Sequence, residues 1–407
     1  MKSMILSVLV ALAIFMACED NTITPPVSTP ISISSPADGA VLHDIQLIRA
    51  ISQSGLSFDS VDFYIDSTFI TRDSIAPFEY QWNIFIYTSN TMHSIYAVGF
   101  DGDSTYVSDL VTVTVLFPSG FSISSTYSPS SQRAVGVTSY GNVLFVSSAD
   151  AGLEMLDISV RSAPQFLSRY NSPGQALHSD VGFPYVYIAD RDQGVVSAIF
   201  SDIDSIIPQF HYSTQSLAID VAASSRFLFV AENDALSVLA LSDLSEYSRL
   251  AFPQDILKYV VARHDTAFIA GSSSFYIVDC TSPSSPAIVS TYDNLSVARA
   301  VAVLDTFAFI ANGSDGVIAL SIADPPNPRF LARFNPGLIV TAVSAGDNTL
   351  FAGTNAGFIY ALDYASPGTL ELLDQVDINA LIEEIEYRDN YVYAAATNNV
   401  NIIRYVR

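Results

Sequence analysis

Three ionisable residues, His178, Asp220 and Glu386, recur at one position of an internal periodicity. An imidazole and two carboxylates form a three-ligand zinc set, leaving the fourth position for a water that the metal would acidify. A structural reading competes, because such side chains can face the neighbouring repeat rather than a common space. A second acidic column runs through Asp150, Asp192, Asp234 and Asp315, and its segment Asp190-Arg191-Asp192-Gln193-Gly194 resembles a fragment of a calcium loop. Calcium needs about six to eight oxygens, and the third acidic position is missing. Asp, Asn and Gly also suit tight turns between strands, which accounts for this column more simply. No Gly-x-Ser-x-Gly elbow, His-Glu-x-x-His helix, phosphate loop or dinucleotide fingerprint is present. Cys280, alone after an apolar run, reads as a passive structural thiol. No cofactor is expected, and a divalent metal has one candidate place, the His178, Asp220 and Glu386 set.

The elements that must position these residues are copies of one unit. Phe145, Tyr187, Phe229, Phe268, Phe309, Phe351 and Tyr393 sit at the centre of similar apolar strands, with steps of 42, 42, 39, 41, 42 and 42 residues. A second strand follows each of them, as in Leu153-Glu154-Met155-Leu156-Asp157 and Phe275-Tyr276-Ile277-Val278-Asp279. A repeat of this length has room for four short strands, the blade of a β-propeller. Helical solenoids are excluded, because the apolar positions alternate or run in fours rather than recurring at three and four. The chain ends just after the third strand of its last unit. Phe121-Ser122-Ile123-Ser124-Ser125-Thr126-Tyr127 precedes the first full unit and matches an outer strand in spacing. It is expected to complete the last blade and close the ring, removing open sheet edges. On this arrangement His178, Asp220 and Glu386 lie on innermost strands of the second, third and seventh blades, and Gly136 of the first blade leaves space between them.

The repeats resemble the LVIVD-repeat family of bacterial propeller units. The clearest match is Phe275-Tyr276-Ile277-Val278-Asp279 followed by Ser282-Pro283-Ser284-Ser285-Pro286, and Leu153 to Asp157 with Ser159 and Pro164 is close. The units at Val195, Leu236 and Val317 lack the strand-terminal Asp, so the resemblance implies the fold rather than a shared site. Residues 30–117 carry about seven short strand signals and no helical period, the signature of a sandwich. Ser35-Pro36-Ala37-Asp38-Gly39, Val61-Asp62-Phe63-Tyr64-Ile65-Asp66, Ala76-Pro77-Phe78 with Trp82, and His93-Ser94-Ile95-Tyr96-Ala97 resemble the bacterial Ig-like domains of surface proteins. Trp82 reads as a core residue. The expected fold is therefore all-β: an immunoglobulin-like sandwich over 30–117, then a seven-bladed β-propeller over 121–407 closed by an N-terminal strand.

The address is written at the start. Lys2 precedes an uncharged, largely apolar run over 4–16, too short for a membrane span and right for a signal peptide. Ala17-Cys18 after that run resembles the lipobox of bacterial lipoproteins, with Phe15 where the pattern usually has Leu. The resemblance implies a signal peptide over 1–17, a lipid on Cys18 and a proline-containing tether over 18–29. Of 407 residues, 41 are acidic and 17 basic, for a net charge of -24. That excess excludes a phosphate-binding nucleic-acid surface and adhesion to anionic lipid. Membrane association is therefore expected through the lipid alone, on an extracytoplasmic protein of the periplasm or cell surface. The expected function is a non-catalytic binding or scaffolding module of the envelope, its propeller presenting loops to a protein or glycan partner. The alternative is a metal-assisted hydrolase or lyase at the channel mouth. Cys18→Ser is expected to abolish lipid labelling and to release or misprocess the protein, as checked by metabolic labelling and fractionation; unchanged fractionation with an unlabelled parent would refute the anchor.

Overall fold

The computed structural model describes residues 29–407 apart from 43–45, 53–55, 83, 85–90, 117–118, 201–204 and 366–367. Cys18, the signal segment and the tether up to residue 28 lie outside the described residues. The chain divides into two compact units, Met1–Pro118 and Ser119–Arg407. Among the described residues no helix is long and apolar enough to cross a membrane.

In the N-terminal unit, alternating apolar residues build two sheets. One orders Ile31–Ser35, Gln46–Ser52 and Phe78–Trp82. The other orders Val41–Leu42, Val111–Val115, Thr91–Asp101, Ser60–Ile65 and Thr68–Asp73, with Ser104–Val107 beside Thr91–Asp101. The strand Thr91–Asp101 buries His93, Ile95, Ala97 and Gly99 and turns the residues between them outward, as period-2 geometry requires. Trp82 is buried and meets the His93 ring edge-on at 5.9 Å, so it is a core residue. Gly39, at φ 76°, lets the Ser35-Pro36-Ala37-Asp38-Gly39 turn dock on the strand Val111–Val115. Its N–H donates to Thr112 O at 2.7 Å, and Asp38 Oδ1 accepts from Thr112 N at 2.8 Å.

The second unit is a ring of seven four-stranded antiparallel sheets. Their inner strands are Gly136–Tyr140, His178–Gly182, Ala218–Ala223, Leu257–Arg263, Ala300–Leu304, Val340–Gly346 and Ile382–Arg388, which number the blades one to seven. The second and third strands of each blade are almost wholly buried, and the outer strands are half exposed. The recurring aromatic of the second strand packs into the next blade. Phe145 contacts Phe200 at 4.9 Å, Phe309 contacts Tyr364 at 4.8 Å, and Phe351 stacks on Tyr387 at 4.5 Å. The apolar core is therefore a set of layers between blades. One layer holds Phe351 and Ile359 of blade six with Ile382, Val392 and Ile403 of blade seven. No blade can bury its faces alone.

Closure follows the expectation. The strand Gly120–Tyr127 pairs antiparallel with Asn399–Val406, from Gly120 opposite Val406 to Tyr127 opposite Val400. The other six outer strands each carry a register shift against the third strand, for example between Met155 and Leu156 or between Ile277 and Val278. Gly120–Tyr127 has the same shift between Ile123 and Ser125, so it is an outer strand in detail as well as in place. Such bulges bend the free edge and discourage pairing with another chain. Phe121 adds a wedge, 4.8 Å from the Tyr405 ring and 6.1 Å from Phe351. Deleting residues 121–128 is expected to abolish soluble monomeric folding, whereas deleting 31–115 leaves the propeller folded. Size-exclusion chromatography with circular dichroism reads both, and a folded monomer from the first deletion would contradict the closed ring.

Candidate functional site in the propeller channel

An inner strand is hydrogen-bonded to its own blade along one edge only. Its other edge presents backbone groups toward the preceding blade, where an unpaired buried N–H costs about 1–3 kcal/mol. The preceding blade answers with side chains. Asp180 Oδ2 accepts from Ala223 N at 2.7 Å, and Asp220 Oδ2 from Val260 N at 2.8 Å. Ser344 Oγ accepts from Tyr387 N at 2.9 Å. At the seam between blades seven and one, Glu384 Oε2 accepts from Val137 N at 2.8 Å and Glu386 Oε2 from Ser139 N at 2.6 Å. The Ser139 hydroxyl donates to the second Glu386 oxygen at 3.0 Å. Thr138 and Thr341 supply the converse, donating their hydroxyls to Ser179 O and Ile382 O at 2.6 Å. The polar groups of the channel are first of all staples between adjacent blades.

Strand register sorts them into two layers. In one, Gly136, His178, Asp220, Tyr259, Ala300, Ala342 and Glu384 lie opposite Ser147, Ala189, Ala231, Ala270, Ala311, Gly353 and Ala395 of the second strands. In the other, Thr138, Asp180, Ala222, Val261, Ala302, Ser344 and Glu386 lie opposite the recurring aromatics. The expected set of His178, Asp220 and Glu386 is thus divided: the first two share a layer, and Glu386 belongs to the next one. The cause is the 39-residue step between Phe229 and Phe268. It moves the column by two residues, which keeps the side chain on the same face but shifts it one pleat along the channel.

The layer around His178 forms a link across the channel. Tyr259 of blade four donates its hydroxyl to Glu384 Oε1 of blade seven at 2.7 Å. His178 Nδ1 is 3.3 Å from Glu384 Oε2 and 3.9 Å from Asp220 Oδ1, ion-pair contacts without hydrogen-bond geometry. The His178 ring meets Tyr259 edge-on at 5.5 Å. Glu384 reaches blade two because Gly136 has no side chain. A Cβ there would lie 3.0 Å from Glu384 Oε2 and 2.7 Å from Leu177 O, so the space expected for a ligand is filled by a carboxylate. A cavity of about 270 Å³ extends from this layer past Asp180 and Glu386, with valine and alanine walls from blades four to six. Tyr259 and Glu384 escaped the sequence reading; counting the column from Phe268 rather than at an even period would have found both.

Burial and mutual charge set the protonation of this cluster. Burial opposes charge on His178, but the carboxylates of Glu384 and Asp220 outweigh it and raise the imidazole to about 9. Burial raises Asp220 to about 7 in spite of His178, Glu386 to about 8, and Asp180 to about 6. A metal would have to take carboxylate oxygens that already bind backbone N–H groups. Among the described residues no group of three or more His, Cys, Asp or Glu side chains is arranged to hold one.

The second acidic column lies in turns. Gly152, Gly194 and Gly316 close those of blades one, two and five at φ 87°, 83° and 83°. A Cβ on them would lie 2.1, 2.2 and 2.1 Å from the carbonyl oxygens of Tyr170, Tyr212 and Phe334. Asp150 accepts from Gln175, Asp192 from Gln193, and Asp234 from Ser216 and Arg249. The strand-terminal acids Asp157, Asp279 and Asp363 each accept the N–H two residues on, from Ser159, Thr281 and Ala365. They cap the turn that leads to the outer strand. Cys280 is buried, and burial pushes its thiol up to about 12, so it stays protonated.

Fold and repeats together define a β-propeller preceded by an Ig-like module. Residues 30–97 match the bacterial Ig domain family, and residues 133–172, 260–294 and 297–335 match the LVIVD repeat. No curated protein sequence matches the chain. Solved structures similar to it are propellers. The WD40 repeats of RRP9 align at TM-score 0.59 and 13% identity, over 70% of this chain and 97% of that one. The WD40 propeller of Doa1 aligns at TM-score 0.60 and 10% identity, over 71% and 98%. The Swd1 propeller domain of Myceliophteria thermophila aligns at TM-score 0.59 and 13% identity, over 71% and 100%. At such identities the likeness concerns the fold alone.

The channel makes stability depend on pH in an uncommon direction. Asp220 and Glu386 bind protons more tightly folded than at their ordinary values of 3.8 and 4.5, so their contribution is full below those values and lost as pH rises through about 7 and 8. His178, raised above 6.5, contributes fully below that value and loses its contribution through about 9. All three act in one sense, so the melting temperature is expected to fall between pH 5 and 9. Glu386→Gln, which carries no charge at any pH, is expected to flatten the part of that fall between pH 5 and 8. Thermal denaturation across the series checks it, and a variant whose curve runs parallel to the parent's would remove Glu386 from the account.

Proposed function

We propose that the protein is a non-catalytic binding or scaffolding module of the bacterial cell envelope, anchored through a lipid on Cys18, whose propeller presents its loops to a protein or glycan partner. The observation that carries this reading is the occupation of the channel acids. Asp180, Asp220, Glu384 and Glu386 each accept a backbone N–H of the following blade, so none is left as a free general base or an open ligand. Among the described residues the one thiol, Cys280, is buried and no metal set is gathered, and the fold offers a closed ring with loops on both faces. Rigidity favours recognition, because loops held by such a scaffold lose little entropy on binding. The Ala17-Cys18 pair after the apolar run supports the envelope address. The Ig-like module is a further contact or spacer element of the same kind.

Photo-crosslinking residues placed at Asp192 and Asp315, in loops of blades two and five, test the reading in intact cells. A discrete crosslinked partner from one or both loops is expected, with none from a control at Phe330 on the outer strand, and with Glu386→Gln leaving the pattern unchanged. No discrete product from either loop, or a hydrolytic activity of the purified protein that Glu386→Gln abolishes, would overturn it.

A further inference from the structure

The inner strands of blades four, six and seven begin with a bulge. The register breaks between Leu257 and Tyr259, between Val340 and Ala342, and between Ile382 and Glu384. The extra residues are Lys258, Thr341 and Glu383. A bulge takes its residue out of the ladder and re-aims the side chain. These three, with Arg299 of blade five, line a recess of about 410 Å³ completed by Val297 and Ala298. That volume is within the usual range of small-molecule sites.

Its charges make no short contact, although Glu383 lies near enough to His178 to help hold that imidazole charged. Lys258 is the only lysine after Lys2, in a chain with 41 acidic and 17 basic side chains. Several arginines find acidic partners, as Arg72 does in Asp62, Arg249 in Glu232 and Asp234, and Arg407 in Asp363, whereas among the described residues Arg133, Arg329 and Arg333 share with Arg299 the lack of one. Among the described residues the side chains of Lys258, Arg299 and Glu383 make no hydrogen bond or ion pair. Two cations on blades four and five and one carboxylate on blade seven therefore face one recess, separated by the blade of Thr341.

We propose that this recess binds a short zwitterion of dipeptide size, with its carboxylate at Lys258 and Arg299 and its ammonium at Glu383. A simple anion is disfavoured on two counts: Glu383 shares the wall, and a net charge of -24 repels anions at range. A zwitterion carries no net charge and satisfies both ends of the recess. A free amino acid bears its two charges on one carbon, whereas these charges stand on non-adjacent blades, which favours the longer molecule. The site is independent of the envelope address and of any partner held by the loops.

Titration calorimetry of the full chain with L-alanyl-L-alanine, its N-acetyl form and its C-terminal amide tests this. Saturable binding of the free dipeptide is expected, and each cap should weaken it about tenfold or more, the loss of one charged hydrogen-bonding partner. Glu383→Gln should weaken the free dipeptide but not the N-acetyl form, and Arg299→Gln should weaken it but not the amide. Arg299 is exposed and Glu383 half-buried, and unchanged melting of the variants confirms that they fold. No saturable binding of the dipeptide, caps without effect, or variants that bind as the parent does would each overturn the proposal.

Discussion

Closing the ring is the constraint on which everything else in the propeller depends. Each blade buries its two faces only against its neighbours, so a ring with a gap would expose two apolar sheet faces at once. The strand Gly120–Tyr127 closes the gap at the outer rim by pairing with Asn399–Val406. Glu384 and Glu386 close it at the inner rim by binding Val137 N and Ser139 N. Bringing together segments so far apart in sequence is less costly than it appears, because loop-closure entropy grows only with the logarithm of length. The seam is held from both sides, and Phe121 packs against Phe351 and Tyr405.

The same demand explains why the channel holds so many acids. Carboxylates serve an exposed strand edge well, since each can accept two backbone donors. Asp220 takes Val221 N and Val260 N, and Asp180 takes Val181 N and Ala223 N. The distribution is uneven around the ring. Blades seven, one, two and three contribute Glu384, Glu386, Thr138, His178, Asp180 and Asp220, whereas the inner strand of blade five, Ala300–Leu304, is wholly apolar. Crowding the acids on one side, with His178 as the one base among them, holds protons in the channel and couples its integrity to pH.

Turn chemistry accounts for most of what makes the repeats look alike. The Asp at the end of the third strand caps the next turn, and the Gly after the second strand permits a backbone approach that any Cβ would block. Where a unit lacks one of these residues, the aromatic wedge still holds the blade in place. Repeats can therefore lose the motif and keep the fold, as the second and third blades have done.

The sequence by itself determined the architecture. Seven aromatic-centred strands at nearly constant spacing specify seven blades, and the match of residues 121–127 to an outer strand specifies how the ring closes, because these are one-dimensional patterns with local physical causes. The Ig-like sandwich was legible for the same reason, through period-2 alternation and turns such as Ser35-Pro36-Ala37-Asp38-Gly39. The composition of the channel was legible only in part. His178 and Asp220 were visible as a pair, but their true companions Tyr259 and Glu384 were not, because one shortened repeat moves the later strands by a full pleat. Which polar atoms face each other across a ring depends on register between strands far apart in sequence. An even period misplaces those strands and the 39-residue step marks where it slips, but only the closed tertiary structure decides which atoms meet across the ring.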